Sequence, residues 1–214
     1  MIEAAKKVLP FRSRDQRRLV RRTAIIDAAE RIFATKPFSK VSMRDIAREA
    51  GISPALIYRH FPNQQHLFVE AFLRGSQRLV NQIREKVTKD GKASLEETAD
   101  VFITFLARHQ QYFKMMTHFM LEGTMHDALL DKIETAERSL LDQFDSVFQA
   151  LGAKKNTRMI SHCYFAALNG ILITFRRHPG RSQHESKKHM DRIGRVITQL
   201  FINAIKHEEA GVFS

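Results

Sequence analysis

A single cysteine, Cys163, excludes an intrachain disulfide and makes a reducing cytoplasm the expected setting. No run of 18 apolar residues occurs, so no membrane span is expected. Lys6 and Lys7 stand near the N-terminus without an apolar segment behind them, which does not read as a signal peptide. Alternating strand patterns and Asn-Gly hairpin signals are missing. So are a glycine-rich phosphate loop, a serine elbow and a paired-carboxylate signature, so the chain is expected not to be an enzyme and no cofactor is implied. Ten histidines are present, but none has tight ligand spacing with an acidic partner, and no metal site is expected.

Proline is scarce, with five residues in 214, while Leu, Ile, Ala, Lys, Arg, Glu and Gln recur at helical spacing. The chain therefore reads as all-α. Its charge is uneven. Residues 1–60 hold 14 Lys and Arg against 6 Asp and Glu, whereas the remainder holds 21 against 17. A concentrated basic end beside a near-balanced body is the footprint of a polyanion-binding head.

Residues 42–61, SMRDIAREAGISPALIYRHF, read as two short helices around a tight turn. Ser42 with Asp45 forms a capping-box pattern, and Gly51 supplies the left-handed residue that ends the first helix. Ser53 caps the second helix, with Pro54 at its first position. Ile46, Ala47, Leu56, Ile57 and Phe61 fall on the inward side, and Ala55, Tyr58, Arg59 and His60 remain outside. This is a helix-turn-helix pattern, whose second helix enters the DNA major groove.

The full pattern, Ser-x-x-x-Ile-Ala-x-x-Ala-Gly-Ile-Ser-x-x-x-Ile-Tyr-x-His-Phe, followed by Leu67 and Phe68 and preceded by the helix from Ile25 to Ala34, resembles the TetR (tetracycline-repressor-like) family. The resemblance covers roughly residues 19–79. It implies that Ser42, Met43, Arg44, Ser53, Pro54, Ala55 and Tyr58 face DNA, with Tyr58 and His60 on the phosphate backbone and Arg59 within reach of base or phosphate. Arg44 is the strongest candidate base reader, because a guanidinium bonds guanine O6 and N7 together. Two departures stand out. Lys36-Pro37-Phe38 replaces the family's glycine after the first helix, so the loop must differ. Gln64 stands where the family places a phosphate-facing lysine, giving up one counterion-releasing contact.

The expected architecture is a basic arm over residues 1–18, a three-helix helix-turn-helix head over 19–79 and a helical effector-binding and dimerisation body over 80–214, about nine helices in all. Ser13 with Gln16 opens the first helix, whose Arg14, Arg17, Arg18, Arg21 and Arg22 suit phosphate contacts or an arm in the minor groove. Helix four is expected from an Asn63 cap to Lys86 or Val87. Its Leu67, Phe68, Ala71 and Phe72 would serve the head. The following helices are expected over 95–108, 111–121, 124–150, 156–176 and 185–207, with Asp90-Gly91-Lys92 as a break. The resemblance implies a homodimer through helices eight and nine, where Ala166, Ala167 and Gly170 permit close approach.

Phe102, Phe105, Leu106, His109, Met116, Phe119, Met120, Met125, Cys163 and Asn169 are the candidate lining of an effector pocket, since phenylalanine and methionine suit an irregular apolar cavity. Cys163, mid-helix, reads as a small buried packing group. The resulting expectation is a ligand-responsive, sequence-specific repressor that binds an inverted repeat in double-stranded DNA and is released by a small apolar or aromatic effector. The alternative is an effector-independent DNA-architectural protein on the same fold.

Overall fold

The computed structural model describes residues 13–89, 94–122, 127–177 and 179–206. Among them the chain forms nine α-helices, one 3-10 turn and no strand. They group into two compact units that divide between Leu67 and Phe68.

The first unit contains α1 (Arg14–Thr35), a 3-10 turn (Phe38–Lys40), α2 (Met43–Glu49), α3 (Pro54–Tyr58) and the first residues of α4 (Gln64–Lys89). Ser13 opens α1 with the full capping box, its side chain accepting from the Gln16 N–H and Gln16 answering to the Ser13 N–H. Lys36 ends α1 in extended conformation, as a residue before proline must. The unusual loop that follows is braced from α4, because Gln64 Nε2 donates to the Phe38 carbonyl at 2.9 Å. The two departures from the family pattern are thus in direct contact.

Ile25, Ala29, Phe33, Val41, Ile46, Ala47, Ile57 and Phe61 are all buried and form the core of this unit. Ile32 and Leu56, expected to point inward, are only half-buried. Asn63 caps α4 by accepting from the His66 N–H at 3.0 Å.

The second unit begins at Phe68 in α4 and continues through α5 (Leu95–Arg108), α6 (Gln110–Glu122), α7 (Asp127–Ala150), α8 (Thr157–Phe175) and α9 (Gln183–Lys206). These bounds fall within three residues of the expected ones; the expected starting residue of α7, Thr124, and the break at 90–92 lie outside the described residues. Tyr164 is the centre of this unit. Its ring meets Phe144, Phe148 and Phe201 edge-on, and its hydroxyl lies 2.7 Å from Thr198 Oγ1 and 3.3 Å from the Leu95 carbonyl.

Phe68 and Phe72 fall in the second unit. Phe68 packs on His118 and Phe119, and Phe72 stacks on Tyr112 at 5.2 Å between ring centroids. Tyr112, fully buried on α6, lies against the α4 backbone at Gly75, where a Cβ would overlap its Cδ2. Glycine is required there by close approach. Gly75→Ala should therefore destabilise the protein by about 1–3 kcal/mol through overpacking. Urea unfolding measures this, and an unchanged midpoint would contradict the packing.

Candidate nucleic-acid interface and body cavity

The helix-turn-helix is built by local chemistry. Ser42 and Asp45 bond reciprocally: the Asp45 N–H donates to Ser42 Oγ at 3.1 Å, and the Ser42 N–H to Asp45 Oδ2 at 3.2 Å. The Ser42 hydroxyl and N–H, with help from Lys36 and Arg48, hold the Asp45 carboxyl below its usual value. Gly51, at φ 66°, closes α2. The Ile52 N–H reaches the Ala47 carbonyl and the Gly51 N–H the Arg48 carbonyl, satisfying two carbonyls that would otherwise be left over at the helix end. Ser53 then caps α3, its Oγ accepting from the Leu56 N–H at 3.3 Å.

α3 leaves Ser53, Pro54, Ala55, Tyr58 and Arg59 exposed, with His60 half-buried at its end. Arg44 is exposed at the start of α2. Asp45, the neighbour most able to neutralise it, pairs instead with Arg48 at 2.6 Å. Met43 corrects an expectation. It is 6% exposed and belongs to the core, so its side chain offers no apolar contact to a groove. The Gln64 amide is also committed elsewhere, to the Phe38 carbonyl.

Arg22, grouped by sequence with the phosphate-contacting arginines, has a different place. Its Nη1 donates to the His60 carbonyl at 3.0 Å, and its guanidinium lies 4.3 Å from the Phe61 ring centroid. It thereby holds the end of α3 against α1, and a cation at a helix C-terminus also meets the favourable end of the dipole.

The other α1 arginines share a groove with α3. Arg14, Asp15, Arg17, Arg18 and Arg21 line it from α1, and Leu56 of α3 with Arg59 and His60 just past its end line the other side, five cations against one acid. Among the described residues none of these five arginines forms an ion pair. Partial burial, then the nearby charges of Arg18, Arg21, Arg22 and Arg59, push the His60 imidazole below its ordinary value. The groove is thus a cationic surface continuous with the exposed side of α3. Sequence spacing placed the cations on α1 but not opposite His60.

In the second unit a cavity of about 160 Å3 opens between α4, α6, α7 and α8. Phe72, Tyr112, Met116, Phe119 and Met120 line one side, and Ile133, Ala136, Glu137, Leu140 and Phe165 the other. Burial pushes the Tyr112 phenol up, and its hydroxyl bonds Ser76, also in the wall. Of the candidate pocket residues, Met116, Phe119 and Met120 line this cavity. Phe102, Phe105 and Leu106 are core residues outside its wall, with Phe102 packed on Phe144 and Phe165. His109 is the C-cap of α5, its ring centroid 4.3 Å from that of Phe105. Asn169 is buried, donating from Nδ2 to the Phe165 carbonyl while Oδ1 has no partner among the described residues, and it is not in the cavity wall. Cys163 corrects a second expectation, being exposed rather than buried. Met125 lies outside the described residues. Tyr112, Ile133 and Glu137 were not among the candidates; Glu137 was legible as an acid four residues after Ile133 and three before Leu140, on the apolar face of α7.

Among the described residues no helix is long and apolar enough to cross a membrane, and no three His, Cys, Asp or Glu side chains converge as a metal site.

The expected result of neutralising the groove is specific. With Arg18 and Arg21 replaced by Gln, the His60 pKa should rise toward 6.5, because two of its lowering charges are gone. NMR titration of the imidazole measures it; no rise would contradict the groove. The sign for stability follows. A histidine depressed on folding binds its proton more readily when unfolded, so the wild type loses stability as pH falls below 6.5, and the double variant loses less.

Residues 25–71 match the sequence model of the family described as "Bacterial regulatory proteins, tetR family". An uncharacterized HTH-type transcriptional regulator of Haemophilus influenzae is 32% identical over 99 residues, 44% of this chain. The match spans 48% of that relative, about half its length. Two solved structures share the fold. FadR of Bacillus subtilis, solved in complex with stearoyl-CoA, is 18% identical at a TM-score of 0.66, covering 84% of this chain and 97% of its own. A putative transcriptional regulator of Saccharomonospora viridis, solved in complex with choline, is 18% identical at 0.65, covering 80% and 93%. Residues 25–71 thus match the sequence of a tetR-family head, and the described residues share the fold of these solved regulators.

Proposed function

We propose that the protein is a sequence-specific regulator of transcription that binds an inverted repeat in double-stranded DNA as a homodimer and is released by a small molecule. The observation that carries this reading is the exposed side of α3 running into the five-arginine groove. Base edges select sequence, and unpaired cations hold phosphates by releasing counterions. Arg44, Pro54, Ala55 and Tyr58 read the major groove, while His60 and the groove arginines hold the backbone.

One head spans too few base pairs for a specific site. A two-fold pair places reading helices about 34–36 Å apart, one DNA turn. α8 supplies a surface for that pair. Met159, Cys163, Ala166, Gly170 and Ile173 are all exposed at alternating spacings of four and three, a continuous apolar and small-residue stripe. Val196 and Leu200 of α9, 58% and 62% exposed, extend it. A paired helical seam has this spacing.

The cavity is the effector site. Ligands in the S. viridis and B. subtilis relatives support a small-molecule effector here. Its wall includes Phe72 and Ser76 of α4, and α4 is the helix whose first residues belong to the head. A ligand that favours a different seating of Tyr112 on α4 biases the head, and it acts only through its difference in affinity for the two states. Repression by blocking polymerase in the cytoplasm, relieved by the ligand, is the simplest outcome.

Selection from a random duplex pool tests the reading and should return one inverted repeat; recovery of many unrelated sequences would instead favour the architectural alternative. On the selected site, Arg44→Ala should cost about 1–3 kcal/mol and relax one base position. Equal loss on random DNA would reduce Arg44 to a phosphate contact. Replacing Arg14, Arg17, Arg18 and Arg21 by Gln should weaken all duplexes alike and lower the salt slope by about 0.9 per phosphate contact removed. Light scattering should give about twice the 24.8 kDa chain mass.

A further inference from the structure

The charge of the cavity wall narrows the class of ligand. Among the described residues its only acidic or basic side chain is that of Glu137. Among the described residues no lysine, arginine or histidine is in the wall. Glu137 is exposed, so it sits at the mouth, and among the described residues it makes no ion pair. Its neighbours on the polar side of α7, Glu134 and Arg138, pair with each other at 2.8 Å. The rest of the wall is rich in rings and thioethers. Phe72 stacks on Tyr112 and meets Phe119 edge-on at 4.7 Å, with Met116 and Met120 beside them.

Aromatic faces attract a cation more strongly as water is removed, and a carboxylate at the rim supplies its counter-charge. An anion entering the same space meets a like charge and, among the described residues, no compensating cation in the wall. The volume, about 160 Å3, lies below the range of drug-sized sites and suits a compact ligand rather than a long acyl chain.

We propose that the effector is a compact organic cation with an apolar body, of the arylalkylammonium class, held by the rings of Phe72, Tyr112 and Phe119 and by the Glu137 carboxylate. This rests on the reading of the cavity as the effector site.

Calorimetric titration of the full-length protein with benzyltrimethylammonium, benzyl alcohol and phenylacetate tests it, alongside release of the selected duplex. Saturable binding of benzyltrimethylammonium, with none of phenylacetate, is the expected result. Glu137→Gln, an exposed substitution whose unchanged melting temperature verifies folding, should weaken the cation about three- to tenfold and leave benzyl alcohol unaffected. Phenylacetate binding as tightly as the cation, an unchanged cation affinity in Glu137→Gln, or no saturable cation binding would each overturn the proposal. Duplex release by benzyl alcohol without cation binding would overturn it while leaving the effector site standing. Binding and release by none of the three would count against both.

Discussion

The reading helix depends on a clamp. α3 is five residues long, far too short to hold its own shape in water. Ser53 fixes its start, and Ile57 and Phe61 anchor its inner side in the core of the head. Arg22 reaches from α1 to its far end, bonding the His60 carbonyl and covering the Phe61 ring. Without that contact the last turn has an unsatisfied carbonyl and a loose end. With it, the exposed side chains of α3 are presented at a fixed angle. Specific recognition requires this, because base contacts fail when a side chain is misplaced by an ångström.

The head and the body show the same logic in different chemistry. In the head, unpaired cations line an open groove, which suits a long polyanion held loosely and a short rod held firmly. In the body, aromatic packing closes around a small cavity, and the one acidic or basic side chain in its wall among the described residues is the Glu137 carboxyl. Tyr112 is the part of that wall most tightly constrained. It stacks on Phe72, bonds Ser76 and rests on Gly75, all three on α4. Any molecule that fills the cavity therefore presses on α4 directly.

Much of the fold was legible. Capping boxes at Ser13 and Ser42, the cap at Ser53 and the left-handed Gly51 are local signals, and each forms as its spacing dictates. Apolar periodicity placed every body helix within a few residues. What sequence could not give was the partner of a side chain. Met43 follows a cap and looked exposed, yet it turns into the core. Arg22 continues a run of arginines, and only the fold shows that it bonds the His60 carbonyl just past α3. Cys163 sits mid-helix beside buried Tyr164, but one residue of helix rotates it onto the outer stripe of α8. Gln64 looked like a weakened phosphate contact, and it braces the loop that Pro37 makes unusual. The cavity posed the same difficulty. Aromatic-rich composition announced an apolar body, but whether Phe102 or Phe119 lines a space is decided by packing between helices that are distant in sequence.

The ratio of affinities for the selected duplex and for random duplex, measured in Arg22→Gln, bears most directly on the claim that a clamped α3 reads sequence. The account predicts that this ratio collapses toward one while random-duplex binding persists, because the groove arginines are untouched. A parallel fall on both duplexes, with the ratio preserved, would make Arg22 one more phosphate contact and contradict the clamp.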